Sequence, residues 1–201
     1  MKLYYVPQTR SNRPRWLLEE LGEPYEMVRL DPRKGDTKTP EYLKVHPLGK
    51  VPALEDGETT IFESAAIVAW LADKYMEKKF APPHGAPERA TYFQWLFFGM
   101  ATLEPPLADF AWHTRLLSEE RRIAAVAERA REALPQLFAV VSDALTGRQW
   151  LLGEQFTACD VVVGSNVMWA GALGLLHGHP DLQAYAKRLH DRPACKRARA
   201  D

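Results

Sequence analysis

The sequence predicts a small α/β domain followed by an all-α domain. Three observations lead there. Strand-like runs of β-branched and aromatic residues occur before residue 63; from Glu88 onward there is no strand signal and the apolar residues follow helical spacing; and Met76 to Pro87 carries Pro82, Pro83, Gly85 and Pro87, the composition of an interdomain connector. The expected boundaries are 1–76 for the first domain, 77–87 for the linker and 88–201 for the helical domain.

Within the first domain, Leu3-Tyr4-Tyr5-Val6 reads as a strand. Pro14 then lies in the first turn of a helix carrying Trp16, Leu17, Leu18 and Leu21, and Gly22 stops it. Tyr25 to Leu30 returns as a strand, and a short helix covers Pro40 to Val45. Val51 to Glu55 and Thr60 to Phe62 flank Asp56-Gly57 as a hairpin, and a helix from Ser64 to Tyr75 closes the domain. This βαβαββα order asks for a mixed four-stranded sheet covered by helices, the thioredoxin-like arrangement, because parallel strands need a right-handed crossover and hairpins do not.

The second half predicts a helical bundle: Glu88 to about Leu117 with a bend at Pro105-Pro106, Glu119 to about Leu145, Ala158 to about Leu176, and shorter helices after Pro180 and Pro193. Thr157 and Asp160 have the spacing of a helix N-capping box, so their role is expected in folding.

A chain of 201 residues with 46 % hydrophobic composition can bury a sizeable core without staples. Acidic and basic side chains balance at 26 each, which argues against a dedicated nucleic-acid binder; Arg121, Arg122, Arg129 and Arg131 read as a solvated helix face. Met1-Lys2-Leu3 leads straight into a strand without a signal-peptide pattern, and no apolar run is long enough to span a bilayer, so a cytoplasmic protein without a membrane partner is expected. Cys159 and Cys195 have no metal-ligand or Cys-x-x-Cys spacing, so no metal is expected and both thiols read as structural.

Chemistry concentrates in Val45-His46-Pro47-Leu48-Gly49-Lys50-Val51-Pro52-Ala53-Leu54 and in Phe62-Glu63-Ser64. Pro52, between a glycine turn and an apolar strand, fits a cis-proline, which would leave the Val51 N–H and C=O to a ligand. Ser64 can cap the helix it opens, whose N-terminus offers unpaired N–H groups to a carboxylate. Together these parts suit a peptide charged at both ends.

Tyr4-Tyr5-Val6-Pro7, Trp16-Leu17-Leu18-Glu19-Glu20-Leu21-Gly22, Gly49-Lys50-Val51-Pro52-Ala53-Leu54 and Phe62-Glu63-Ser64 resemble, in order and spacing, the soluble glutathione transferase family, closest to its serine-type classes. The resemblance continues through Gln94-Trp95-Leu96-Phe97-Phe98 and Phe156-Thr157-Ala158-Cys159-Asp160, nearly the whole chain. It implies a homodimeric detoxification enzyme with reduced glutathione as co-substrate, no tightly bound cofactor, and a small apolar electrophile as second substrate.

The resemblance also implies roles. Val51 would pair its backbone with the cysteinyl amide, Glu63 would take the γ-glutamyl ammonium and Ser64 its carboxylate, and Lys38 and Lys50 would meet the glycyl carboxylate. His46, where the family often has Asn, reads as a turn residue. The thiol needs activation, since a free pKa of about 8.5 leaves a few per cent thiolate at neutral pH. A hydroxyl donor after the first strand supplies it in the family, and Thr9, Ser11 and Tyr5 are the candidates here. Thr9 aligns without a gap to the catalytic serine; Tyr5 also reads as a core aromatic, and Ser11 as a helix N-cap. Where related branches place a nucleophilic Cys, this chain has Arg10 or its neighbours, so the mixed-disulfide chemistry of those branches loses its key atom and reductase activity is not expected. Arg10 and Arg13 read either as a positive potential beside the sulfur or as solvated loop residues.

For the second substrate, Phe97, Met100, Leu103, Glu104 and Leu107 are spaced to share a helix face, a stripe that is also the signature of a core; Trp112 and His113 lie beyond the bend. The alternatives to conjugation are glutathione-dependent peroxide reduction, isomerisation, although Thr9-Arg10-Ser11-Asn12 lacks the isomerase branch's Ser-Ser-Cys-Ser type of motif, and a non-catalytic binding or scaffold protein.

Overall fold

A computed structural model describes residues 1–200. The chain divides into two compact units, Met1–Ala81 together with the chain from Asp191 onward, and Pro82–His190.

In the first unit, β1 (Lys2–Tyr5), β2 (Glu26–Arg29), β3 (Ala53–Asp56) and β4 (Thr59–Phe62) form one sheet in the order β2-β1-β3-β4. β1 and β2 are parallel, and the other two pairs are antiparallel. The crossover from β1 to β2 is α1 (Asn12–Leu21), ended by Gly22, whose φ of 71° only glycine adopts without strain and whose N–H closes on Leu18 O at 3.1 Å. Gly57, at φ 62°, supplies the positive dihedral that the tight β3–β4 turn needs at its first position. α2 (Pro40–Val45) starts where expected: Pro40 occupies the first turn, where its missing N–H is harmless, and the Thr39 hydroxyl accepts from Tyr42 N–H at 3.2 Å. α3 (Ser64–Lys74) buries Ile67, Val68, Leu71 and Ala72, while β1 and β3 bury Leu3, Tyr5, Ala53 and Leu54. The expected βαβαββα order and mixed sheet are thus observed.

The second unit is helical throughout: α4 (Glu88–Phe97), α5 (Glu104–Ala111), α6 (Ala124–Leu145), α7 (Ala158–Ala172) and α8 (Pro180–Asp191, its last residue counted with the first unit). α7 is the central helix, with Val161, Val162, Val163, Val167 and Ala170 fully buried. Between α4 and α5 the chain widens into a π-helical turn, Phe98–Leu103, and a second one, Trp112–Leu116, follows α5. Pro105 and Pro106 explain the first of these. Two adjacent residues without N–H groups remove two rungs of an α-helical ladder, so the chain before them is wound wider. The Glu104 N–H reaches Gly99 O, which also accepts the buried Asn166 amide at 2.7 Å.

Among the boundaries that differ from expectation, two have a visible cause. α6 begins at Ala124 instead of Glu119, because Ile123 is extended (φ −115°, ψ 103°) and its N–H is taken by His113 Nδ1 at 3.0 Å. The last helix, α9 (Pro193–Ala198), belongs to the first unit, although the sequence reading ran the helical domain to residue 201. The reason is a charge match with α1. Arg192 forks onto both Glu20 oxygens at 2.6 and 2.8 Å, Arg197 reaches Glu19 Oε2 at 2.6 Å, and Arg15 donates to Arg197 O at 3.2 Å. Helical periodicity identifies α9 but carries no information about which unit it covers.

Asp160 performs the folding role expected of it, and more. Its Oδ2 accepts the Thr157 N–H at 2.9 Å and hydroxyl at 3.0 Å, and its Oδ1 accepts Leu151 N–H and the Tyr185 hydroxyl, each at 2.9 Å. The side chain is wholly buried and ties the α7 start to α8 and to the preceding loop. In Asp160→Ala, four donors, two backbone N–H groups and two hydroxyls, lose their acceptor in the core, so urea unfolding should show a loss of about 3 kcal/mol or more; an unchanged midpoint would remove this role.

Candidate functional site

The residues singled out in the first half meet at one end of the sheet. β1 pairs with β3 in the register Tyr4↔Ala53, and extending that antiparallel register brings Val51-Pro52 alongside Tyr5-Val6, from which the chain turns into α1. The Val51–Pro52 peptide bond is cis, as expected. Among the described residues neither the N–H nor the C=O of Val51 has a hydrogen-bond partner, which leaves one backbone rung open at the edge of the loop.

The loop before Pro52 is tightly specified. His46 is buried, its Nδ1 accepts Leu48 N–H at 3.3 Å, and its ring lies 4.7 Å from that of Phe62. Burial holds its pKa below the ordinary histidine range, partly offset by the Glu63 carboxylate. Gly49 has φ 59°, and a Cβ there would sit 2.2 Å from Thr37 O. The two lysines divide in role: Lys38 Nζ donates to Leu48 O at 3.1 Å and braces this loop, whereas Lys50 is exposed with no side-chain hydrogen bond to the described residues. The Lys50 carbonyl is held from behind by the Tyr42 hydroxyl at 2.5 Å.

At the start of α3, the first intrahelical bond runs from Ile67 N–H to Glu63 O at 3.0 Å, so the N–H groups of Ser64, Ala65 and Ala66 precede the ladder. Glu63 is a non-glycine residue at φ 72°, ψ 114°. Backbone in this region is strained and collects at functional sites. Its carboxylate is exposed and does not cap the helix. Ser64 is buried, and its Oγ accepts from Arg13 Nη1 at 3.1 Å. Arg13 is therefore no solvated loop residue: it lies inside α1, buried, and ties the start of α1 to the start of α3. Sequence reading missed this because charge alone suggested solvent; the available signal was its position in the first turn of a helix whose next residues, Pro14 to Leu18, are all buried.

The three hydroxyl candidates are placed differently. Tyr5 is a core residue under the Arg15 guanidinium, whose carbon is 5.5 Å from the ring centre. Thr9 is half-buried and follows Gln8, whose φ of 58° turns the loop. Its Oγ1 lies 2.7 Å from Val6 O and 2.9 Å from Ser11 Oγ. Ser11 stands at the N-cap position of α1, yet makes no side-chain capping bond; its hydroxyl, fully buried, instead faces Thr9 and accepts Val6 N–H at 3.4 Å. Arg10 is exposed. Both cysteines are buried, and burial pushes the Cys159 thiol far up and the Cys195 thiol to about 11, so neither is a reactive thiolate. No group of residues with metal-ligand character occurs among the described residues, and no described helix is long and apolar enough to cross a membrane.

The second-half candidates do not form one exposed stripe. Leu103 and Leu107 are fully buried in the core of the helical unit, Glu104 is buried and Met100 half-buried, while Phe97 is 70 % and Trp112 44 % exposed. His113 is half-buried and engaged by Ile123 N–H. The shared-face expectation assumed an unbroken α-helix. The π-turn over 98–103 adds residues to the turn and rotates Phe97 away from the face that Leu103 and Leu107 occupy.

Comparison with known proteins agrees with the fold. Residues 1–73 match the profile described as glutathione S-transferase, N-terminal domain, and residues 124–188 match glutathione S-transferase, C-terminal domain. Glutathione S-transferase GST-4.5 of Xanthomonas campestris is 30 % identical over 94 % of this chain and 92 % of its own length. The disulfide-bond oxidoreductase YfcG of Escherichia coli is 29 % identical over 98 % of this chain and 93 % of its own. The crystal structure of a glutathione transferase family member from Pseudomonas fluorescens with two glutathione bound superposes with a TM-score of 0.88 at 28 % identity, covering 98 % of this chain and 91 % of that one. This chain belongs to the glutathione S-transferase family, whose thioredoxin-like and all-helical halves it reproduces.

The loop carrying Lys50 and Val51 depends on Gly49. Gly49→Ala must both strain a positive φ and displace the Thr37 carbonyl, so it should destabilise the protein by about 1–3 kcal/mol in urea unfolding. A Gly57→Ala control, which meets nothing within 4 Å, should lose less.

Proposed function

We propose that this chain binds reduced glutathione along the end of the sheet, activates its thiol through the Thr9 hydroxyl, and adds the thiolate to a small apolar electrophile. The observation that carries this reading is the exposed, strained Glu63 beside buried Ser64 and three unladdered N–H groups, an arrangement that presents an anion acceptor and an anion side by side. A zwitterionic α-amino acid group, as at the γ-glutamyl end, matches both: ammonium on Glu63, carboxylate on the α3 N-terminus and Ser64. The open Val51 rung takes the middle of the peptide, and Lys50 takes the terminal carboxylate while Lys38 holds the loop.

That geometry directs the cysteinyl sulfur toward the end of β1, where Thr9 is the accessible hydroxyl. A donor to the sulfur and the positive end of α1 both favour the thiolate, and a shift of two pKa units corresponds to about 2.7 kcal/mol. Phe97, Met100 and Trp112 remain the proposed contacts for the apolar partner, with Leu103 and Leu107 acting from the core. As for the family, the working state is proposed as a cytoplasmic homodimer, which sedimentation at twice the chain mass would support.

A second reading has its own support: one relative is named a disulfide-bond oxidoreductase, and one neighbour holds two glutathione molecules. The thiolate would attack one sulfur of a disulfide, releasing the other as a thiolate that takes a proton. The thiolate of a second glutathione would then attack the glutathione sulfur of this mixed disulfide and displace the remaining substrate thiolate, giving oxidised glutathione and a second reduced thiol. No enzyme cysteine is needed, since the attacking sulfur is the substrate's own.

Assays of thioether formation with a chlorodinitrobenzene and of glutathione consumption with hydroxyethyl disulfide separate the two readings. Conjugation is expected to be the faster; the reverse ranking would install the disulfide reading. For the binding site, calorimetry on Glu63→Ala should show glutathione affinity reduced by about 30-fold or more, and Ser64→Ala by about tenfold, as expected for charged recognition left unpaired. Unchanged affinity in both would displace the ligand from this end of the sheet.

A further inference from the structure

The Thr9 hydroxyl has one proton and three neighbours that need accounting. Val6 O is a carbonyl and can only accept, so the 2.7 Å contact uses the Thr9 proton. The 2.9 Å contact between Thr9 Oγ1 and Ser11 Oγ must then use the proton of Ser11. Ser11 N–H adds a weaker donation to the same Thr9 oxygen at 3.3 Å, and Val6 N–H approaches Ser11 Oγ at 3.4 Å. Thr9 Oγ1 therefore accepts from Ser11 and donates onward, in a directed chain Val6 N–H, Ser11 O–H, Thr9 O–H.

Ser11 cannot itself meet a ligand, because it is fully buried. Nor is it held there by capping, since α1 takes no bond from its side chain. A buried hydroxyl at an N-cap position that ignores the helix and turns back on a neighbouring hydroxyl is a feature the fold does not require.

We propose that Ser11 is a positioning residue that acts through Thr9: its hydroxyl donates to Thr9 Oγ1, which fixes Thr9 as the donor and makes its proton a stronger hydrogen bond to the glutathione sulfur. This rests on the reading that Thr9 is the thiol's donor. When the anion is present, the Thr9 proton rotates from Val6 O to the sulfur while the Ser11 bond stays in place. A hydroxyl that accepts a hydrogen bond donates a stronger one, because each polarises the next in a low-dielectric surrounding. The only covalent bond broken is the thiol S–H, whose proton passes to solvent water as the thiolate forms.

The test follows the ultraviolet absorbance of the thiolate against pH in protein saturated with glutathione. Thr9→Val should raise the bound-thiol pKa most. Ser11→Ala should raise it by about half to one unit, a roughly three- to tenfold lower thiolate fraction well below the pKa. The double variant Thr9→Val/Ser11→Ala should match Thr9→Val alone, because Ser11 has no other route to the sulfur. Affinity for S-methylglutathione, which lacks the thiol, should be unchanged in Ser11→Ala; a purely structural serine would weaken it. Ser11→Thr, which restores the hydroxyl, should recover the pKa. Should Ser11→Ala fold poorly, Ser11→Cys provides a near-isosteric weaker donor and should shift the pKa in the same direction. If Thr9→Val shifts the pKa while Ser11→Ala and Ser11→Cys leave it at the parent value, or if the two effects add in full, the relay is overturned and Thr9 stands. If Thr9→Val has no effect, Thr9 is not the donor and both readings fall.

Discussion

One buried hydrogen bond, from the Arg13 guanidinium to the Ser64 hydroxyl, joins the starts of two helices that come from opposite ends of the first domain's sequence. Bonds to a charged donor are worth about 1.5–3 kcal/mol, and a buried guanidinium deprived of its acceptor is penalised more than that. The bond therefore fixes the spacing between the α1 turn, which carries Thr9 and Ser11, and the α3 turn, which carries Glu63 and Ser64. It also places a cation beside two positive helix ends, where an anion is stabilised. The chemistry proposed for the sulfur and the grip proposed for the amino acid end are thus linked by an internal contact, one partner of which, Ser64, belongs to that grip.

Much of the first half was legible in the sequence because its signals are local. Gly22 and Gly57 stop and turn the chain by their dihedrals, Thr39-Pro40 starts a helix by capping, and Pro52 sits where only an unusual peptide geometry suits a proline. The candidate site was legible in part. Glu63, Ser64 and Val51 could be named from spacing, but the strain at Glu63 and the division of labour between Lys38 and Lys50 depend on partners far away in sequence. Arg13 was hidden for the same reason: whether an arginine is solvated or buried is decided by what packs over its helix.

The helical half shows a different limit. A stripe at spacings of three and four presumes 3.6 residues per turn, and Pro105-Pro106 breaks that presumption before the stripe is complete. The proline pair announced a bend; it did not announce that the bend would take the form of a wider turn. Gly99 and Asn166 make that turn possible, one by letting α7 approach within 2.9 Å of where a Cβ would be, the other by adding a second donor to the Gly99 carbonyl.

α9 is fastened to α1 by Glu19, Glu20, Arg192 and Arg197. The first domain is thus assembled from both termini, with the whole helical unit inserted between its parts. During synthesis on a ribosome, the sheet and its three helices emerge first, but the α1 surface that α9 covers stays open until α9 itself leaves the exit tunnel. The sheet domain begins to fold before the helical unit is made and is completed only after it, so its exposed interval lasts as long as translation of that unit.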